Sequence, residues 1–179
     1  EDDLVNFQTL EDAIREKAEI TCTYNGFEFL VKPLKLALFE GFWYLLLLDS
    51  KKGNKFKKFH LKSIKDIKHS GEKFELSGEL DERVKAMNSA WANLEAPKTA
   101  RLLLAPEVAK YFERKPHAKQ RITGQDSDGS VEIEIEFTHI MEIKPLIYYY
   151  LPFIKVLEPK ELVDEVKKDV SEYLKEINF

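Results

Sequence analysis

Seven consecutive apolar residues, Phe42-Trp43-Tyr44-Leu45-Leu46-Leu47-Leu48, constrain this chain more than any other stretch. Gly41 precedes them, and Asp49-Ser50-Lys51-Lys52-Gly53-Asn54 follows. A short apolar run closed by turn residues predicts a strand buried on both faces. It is far shorter than the roughly 18 residues of a membrane helix, so the chain must build a core around it. The next stretch, Lys55-Phe56-Lys57-Lys58-Phe59-His60-Leu61-Lys62, alternates basic with apolar residues. With a period of two, one face of that strand would be apolar and the other cationic. The expectation is a hairpin, turned at Gly53-Asn54, with a charged outer surface.

The length of 179 residues suits one large domain or two small ones. Seven Gly and seven Pro leave no room for long low-complexity linkers. No stretch is apolar enough for a membrane span, and the acidic start Glu1-Asp2-Asp3 lacks the features of a signal peptide. The single cysteine, Cys22, cannot form an internal disulfide, which points to a reducing cytoplasm. In the alternation Ile20-Thr21-Cys22-Thr23-Tyr24 it reads as a small buried hydrophobe. The net charge of −4 argues against a protein that coats nucleic acid throughout. Residues 51–69, however, hold eight lysines against one acid, Asp66. That segment can bind anions locally, or it can be a lysine-rich hairpin that resists edge pairing.

Along the chain, Leu4 to Lys17 predicts a helix and Ile20 to Tyr24 a strand. Asn25-Gly26 is a hairpin turn, because both residues accept positive φ. Phe27 to Lys32 returns as a strand that Pro33 is expected to end. Strands at 42–48 and 55–62, with a turn or short strand at 63–70, suggest a small antiparallel barrel. Asp81 to Leu94 predicts a helix burying Val84, Met87, Ala90, Trp91 and Leu94. Beyond Pro97, the order is strand 99–104, helix 106–114, strands 118–125 and 131–137, helix 139–149 and strand 153–157. A last helix starts at Pro159, with Leu162, Val163, Val166, Val170, Tyr173, Leu174 and Ile177 on its inner side. Strand, helix, strand, strand, helix, strand is the split βαβ, ferredoxin-like order. The boundaries expected are a leading helix over 1–18, the barrel over 19–78, a linker helix over 79–97 and the ferredoxin-like domain over 98–179. The fold class is α+β.

No catalytic constellation emerges. The histidines at 60, 69, 117 and 139 are scattered, and zinc-type spacing, a nucleophile elbow and a glycine-rich phosphate loop are all lacking. Asp126-Ser127-Asp128-Gly129 begins like a calcium loop but lacks the later ligands, so it reads as a turn. Glu132, Glu134 and Glu136 line one strand face, which suits a solvated sheet surface. Neither a cofactor nor a metal is expected.

Taken together, these motifs resemble the bacterial WYL-domain transcriptional regulators. Trp43-Tyr44-Leu45 matches the signature triplet, after an aromatic strand ending in Tyr24, the turn glycine Gly26 and Pro33. Lys57-Lys58-Phe59-His60-Leu61-Lys62-Ser63-Ile64 matches a family stretch of the pattern Arg-x-Phe-Arg-Leu-Asp-Arg-Ile. Phe59, Leu61 and Ile64 keep its frame; Lys57, His60 and Ser63 replace the arginines, and Lys62 the aspartate. Asp128-Gly129 and Val156-Leu157-Glu158-Pro159-Lys160-Glu161-Leu162 resemble the WCX extension that often follows WYL. The resemblance implies an Sm-like barrel that senses a ligand, often anionic or a nucleic acid, and a second domain for dimerisation or effector binding. Family members usually carry an N-terminal winged helix-turn-helix that binds promoter DNA. That domain is not in this sequence, so the chain is expected to be the effector half of a regulator and a homodimer.

The expected effector site is Tyr24, Trp43, Tyr44, Lys57, Lys58, His60 and Lys62. Lysines favour phosphate and aromatic faces stack bases, so the ligand would be an anionic effector or single-stranded nucleic acid. Strand alternation prevents Trp43 and Tyr44 from facing one cavity, and Lys57 differs in parity from Lys58, His60 and Lys62. The alternative is an interaction module that dimerises and has no ligand of its own.

Overall fold

In the computed structural model, which describes residues 2–177, the chain divides into two compact units, 1–94 and 95–179. The first opens with helix α1, Asp2–Glu16. Leu10 and Ala13 on α1 are fully buried, with Phe7 and Ile14 packed beside them, so three- and four-residue spacing makes one apolar face. Five strands follow: β1, Ala18–Tyr24; β2, Phe27–Phe39; β3, Phe42–Asp49; β4, Lys55–His60; and β5, Ile64–Lys73. They form one antiparallel sheet in the order β4-β3-β2-β1-β5, the strand order of an Sm-like barrel.

The hairpins are set by left-handed residue pairs. Asn25 (φ 50°) and Gly26 (φ 83°) join β1 to β2. Glu40 (φ 50°) and Gly41 (φ 85°) join β2 to β3, pairing Phe39 with Phe42. Two positive φ values at a two-residue turn give the twist that antiparallel strands need.

Pro33 does not end β2. The ladder to β1 runs from Tyr24↔Phe27 to Ile20↔Val31, so Pro33 lies beyond it. On the other side, a register shift between Pro33 and Lys35 absorbs the missing N–H.

The apolar run is β3, and both its faces are covered. Leu45 and Leu47 join the cluster of Leu10, Ile20, Val31 and Phe59 against α1. Leu46 and Leu48 join Leu34, Phe39, Val84 and Met87 on the opposite side. Each such leucine contributes about 1.5–3 kcal/mol by leaving water.

Helix α2 is Gly78–Lys85, shorter than the helix expected to Leu94, and it lies in the first unit. Ser77 caps it, accepting a hydrogen bond from the Leu80 N–H at 3.3 Å. Beyond it Ser89 accepts from the Trp91 N–H at 3.0 Å, a local bond that competes with helix. Trp91, expected in the core, is 45% exposed; Ala92 is buried in its stead.

The second unit contains β6, Lys98–Leu104; α3, Pro106–Arg114; β7, Gln120–Gln125; β8, Val131–Phe137; α4, Lys144–Tyr149; β9, Ile154–Glu158; and α5, Lys160–Ile177. Its sheet order, β7-β8-β6-β9, is ferredoxin-like, with α3 and α4 as the crossovers. Along β8, Val131, Ile133, Ile135 and Phe137 are buried. On the other face Glu132 pairs with Arg101 at 2.8 Å and Glu134 with Arg121, so two of the three carboxylates of this row are paired within their own sheet. The stretch expected as one helix from His139 divides into a 3-10 turn, Ile140–Glu142, and α4. His139 and Glu142 cap that turn reciprocally. Only the first half of α5 buries its apolar side: Leu162 is inaccessible, whereas Tyr173 is 63% exposed and Leu174 and Ile177 are exposed. Among the described residues, no helix is long and apolar enough to cross a membrane.

Candidate ligand-binding cleft

The seven residues expected to form one site are divided by the sheet. On β4, Lys57 pairs with Leu47 and Phe59 with Leu45, on the side facing α1. Phe56, Lys58 and His60 pair with Leu48, Leu46 and Tyr44, on the other side. The aromatics Phe56 and Phe59 have opposite parity, so each face carries both basic and aromatic groups. The uniform cationic face expected of this strand is therefore not formed.

Lys57 is turned to a structural task. Its Nζ donates to Asp49 Oδ2 at 2.7 Å and lies 4.7 Å from the centroid of Phe29. Asp49 is 1% exposed. Burial pushes its carboxyl up, but the hydrogen bond and charge of Lys57 outweigh that, aided by Lys51 and Lys52, and hold it below the usual carboxylate range. Lys58 is likewise engaged, donating to the carbonyls of Ala90 (2.6 Å) and Ala92 and so fastening the turn after α2.

Tyr24 stacks on Phe59 with centroids 3.9 Å apart and planes 3° from parallel. Its hydroxyl accepts the His60 N–H at 3.3 Å. Tyr44 is half-buried between Phe39 and His60, meeting the imidazole edge-on at 5.6 Å. These two tyrosines pack on opposite sides of the sheet, Tyr24 with the α1-side core and Tyr44 with the other.

Trp43, His60 and Lys62 do come together. With Phe7 of α1 and Phe42 they line an open cleft of about 390 Å³ at the turn end of the β2-β3 hairpin. Trp43 is 40% exposed, and the Phe7 ring meets it at 82° and 5.0 Å. The Phe42 and His60 rings are 5.5 Å apart. None of the lining residues is acidic, and among the described residues Lys62 has no ion-pair partner. Phe7, Phe42 and Gly41 were not singled out from sequence. The helical spacing marked Phe7 as apolar, but only the fold brings it to Trp43. Among the described residues, no group of His, Cys, Asp or Glu could hold a metal ion. The cleft thus offers aromatic edges and faces beside a cation.

Comparison with known proteins agrees with this architecture. The WYL domain matches residues 5–69, and the WCX domain matches 96–174. The chain belongs to the family of proteins in which a WYL domain is followed by a WCX domain: the first unit is the WYL domain and the second the WCX domain. A polyribonucleotide nucleotidyltransferase of Campylobacter concisus is 33% identical over 119 residues, covering 60% of this chain and 16% of that protein. Among solved structures, a CRISPR Cas-related protein aligns with a TM-score of 0.65 and 13% identity, over 99% of this chain and 53% of its own. The proteasome accessory factor B/C of Arthrobacter aurescens aligns with a TM-score of 0.44 and 19% identity, over 99% of this chain and 28% of that one. The chain spans about half or less of the length of each of these three proteins.

Proposed function

We propose that the WYL unit binds an anionic effector, a single-stranded nucleic acid or a smaller phosphate-bearing molecule, in the cleft between α1 and the β2-β3 turn. In this reading Trp43 and Phe42 offer faces to a base, and Lys62 meets a phosphate. The observation that carries it is the half-exposed Trp43, held by Phe7 beside Lys62, which has no ion-pair partner among the described residues. A match to a protein named for polyribonucleotides supports a nucleic-acid ligand over other anions. Binding would be relayed to a DNA-binding domain outside this chain, and through it to promoter DNA. Phe7 is the first link of such a relay, because it joins the cleft to α1.

Fluorescence anisotropy of labelled single- and double-stranded oligonucleotides tests this. Saturable binding to single strands that falls with salt and with Lys62→Glu supports it; no binding at low salt sinks it.

A second reading, self-association through the WCX unit, rests on α5. Its last turns carry exposed Tyr173, Leu174 and Ile177, an apolar strip of the kind that pairs with a second copy. Sedimentation velocity of the chain and of Tyr173→Lys tests this. A monomer at all concentrations removes the homodimer.

A further inference from the structure

The WCX unit has a cavity larger than the WYL cleft. It lies where the C-terminal end of α3 turns toward β7, opposite α4, and is an open pocket of about 510 Å³. Its lining includes Tyr111, Phe112, Arg114, Lys115, His117 and Tyr150. No lining residue is acidic. Over residues 110–121, five basic residues stand against one acid, Glu113. Among the described residues, neither the Arg114 nor the Lys115 side chain has a hydrogen-bond or ion-pair partner. Two exposed cations without counter-ions beside an apolar wall form an unusual surface for an acidic chain, and one that attracts anions.

The wall is aromatic and held in place. Phe112 and Tyr150 lie 5.2 Å apart, Tyr150 meets Tyr149 edge-on at 4.8 Å, and Tyr111 is exposed at the rim. Gln120 fixes the loop that borders the cavity. Its Oε1 accepts the His117 N–H at 2.9 Å, and its Nε2 donates to the Phe112 carbonyl at 3.3 Å. The His117 ring donates from Nδ1 to the Ala118 carbonyl at 2.8 Å. The loop is therefore pre-formed, and a ligand would not have to order it.

We propose that this cavity is a second binding site, specific to the WCX unit, for a nucleobase-phosphate unit. The base packs on Tyr111 and Tyr150, and the phosphate meets Arg114 and Lys115. Arginine supplies the planar fork for a phosphate that the WYL cleft lacks. The volume lies within the range of small-molecule sites, so it has room for one nucleotide, either free or as part of a strand.

The test uses the whole chain carrying fluorotyrosine, followed by fluorine NMR, with the Tyr111 and Tyr150 signals assigned from Tyr111→Phe and Tyr150→Phe. The probes are deoxyadenosine monophosphate, a short oligodeoxyadenylate and inorganic phosphate. Saturable shifts of both signals with the mononucleotide or the oligonucleotide are expected, and a much tighter response to the oligonucleotide identifies a strand as the source. Arg114→Glu with Lys115→Glu, both on the surface, should weaken binding about tenfold or more. Lys62→Glu should leave these shifts unchanged, which separates this site from the WYL cleft. The proposal is overturned if neither signal moves at millimolar nucleotide, if the charge reversals have no effect, or if phosphate alone binds as well as the nucleotide.

Discussion

Lys57 Nζ donates to the buried Asp49 carboxylate at 2.7 Å, across the β3-β4 hairpin. The lysine that sequence placed in the effector site is thereby a structural partner. Its removal should strand a carboxylate in the core. Lys57→Met is expected to cost about 3 kcal/mol at neutral pH, the low end for breaking a buried pair, because the lysine is near the surface. Asp49→Asn should cost only about 1 kcal/mol, since the ammonium can turn to water. Urea denaturation of both variants measures this asymmetry.

The same pair fixes a pH dependence. A carboxyl held below its usual range contributes stability above its unfolded value of 3.8, lost as pH falls through the folded value. The wild-type chain should lose this contribution only in acid below about pH 4. In Lys57→Met only the smaller effects of Lys51 and Lys52 oppose burial, so the Asp49 carboxyl rises from its folded value, and the destabilisation should be largest at pH 7 and shrink toward pH 4. A deficit that is constant over that range would contradict the assignment.

Lys58 and Lys62 should separate binding from stability. Lys58→Ala removes a charged donor from two carbonyls and should cost about 1.5–3 kcal/mol. Lys62→Ala should change stability by less than about 0.5 kcal/mol, as exposed substitutions usually do. Ligand affinity should respond in the opposite order. Thermal unfolding and anisotropy on the two variants check both halves.

In the WCX unit, Lys144 on α4 holds α5 through Asp169 (2.6 Å) and Glu165 (3.2 Å). The hydrogen bond to Asp169 outweighs burial and holds the ammonium above the usual lysine range. Burial, then the hydrogen bond to Asp169, pushes the Tyr148 hydroxyl up to about 12. Lys144→Met should cost about 1–2 kcal/mol, less than a fully buried pair because water reaches Asp169. A lysine pKa raised by folding adds stability below the unfolded lysine value and loses it as pH rises through the folded one. The deficit should therefore fade above about pH 10. The alkaline absorbance titration, by difference with Tyr148→Phe, should show one tyrosine near 12.

Cys22 is 2% exposed, and burial pushes its thiol up to about 11. It should resist an aromatic disulfide reagent at neutral pH in the folded chain and react at once in denaturant. Fast reaction in buffer would contradict the packing of β1.

Much of this fold was legible. The run at Phe42–Leu48 announced a strand covered on both sides, and the alternation at 131–137 announced β8. Asn25-Gly26 announced its turn. What misled were residues whose effect depends on neighbours. Pro33 looked like a strand end because the register shift beside it has no sequence signature. Trp91 looked like a core anchor because helical spacing was assumed past Met87, where Ser89 instead closes a turn. The charge run at 51–69 told how many cations there are but not where they point. Asp49, which claims Lys57, reads in sequence as a turn residue. The cleft was half legible: Trp43, His60 and Lys62 were named from sequence, while Phe7 joins only through long-range packing.

The most direct test places the reporter in the cleft. In Trp91→Phe, Trp43 is the single tryptophan, and its emission can be followed as a short single-stranded oligonucleotide is added at several salt concentrations. The account predicts a saturable change in Trp43 emission that weakens steeply with salt and is lost in Lys62→Glu. Unaltered Trp43 emission at low salt, while anisotropy of the same labelled strand shows it bound, would contradict it and place the strand elsewhere on the chain.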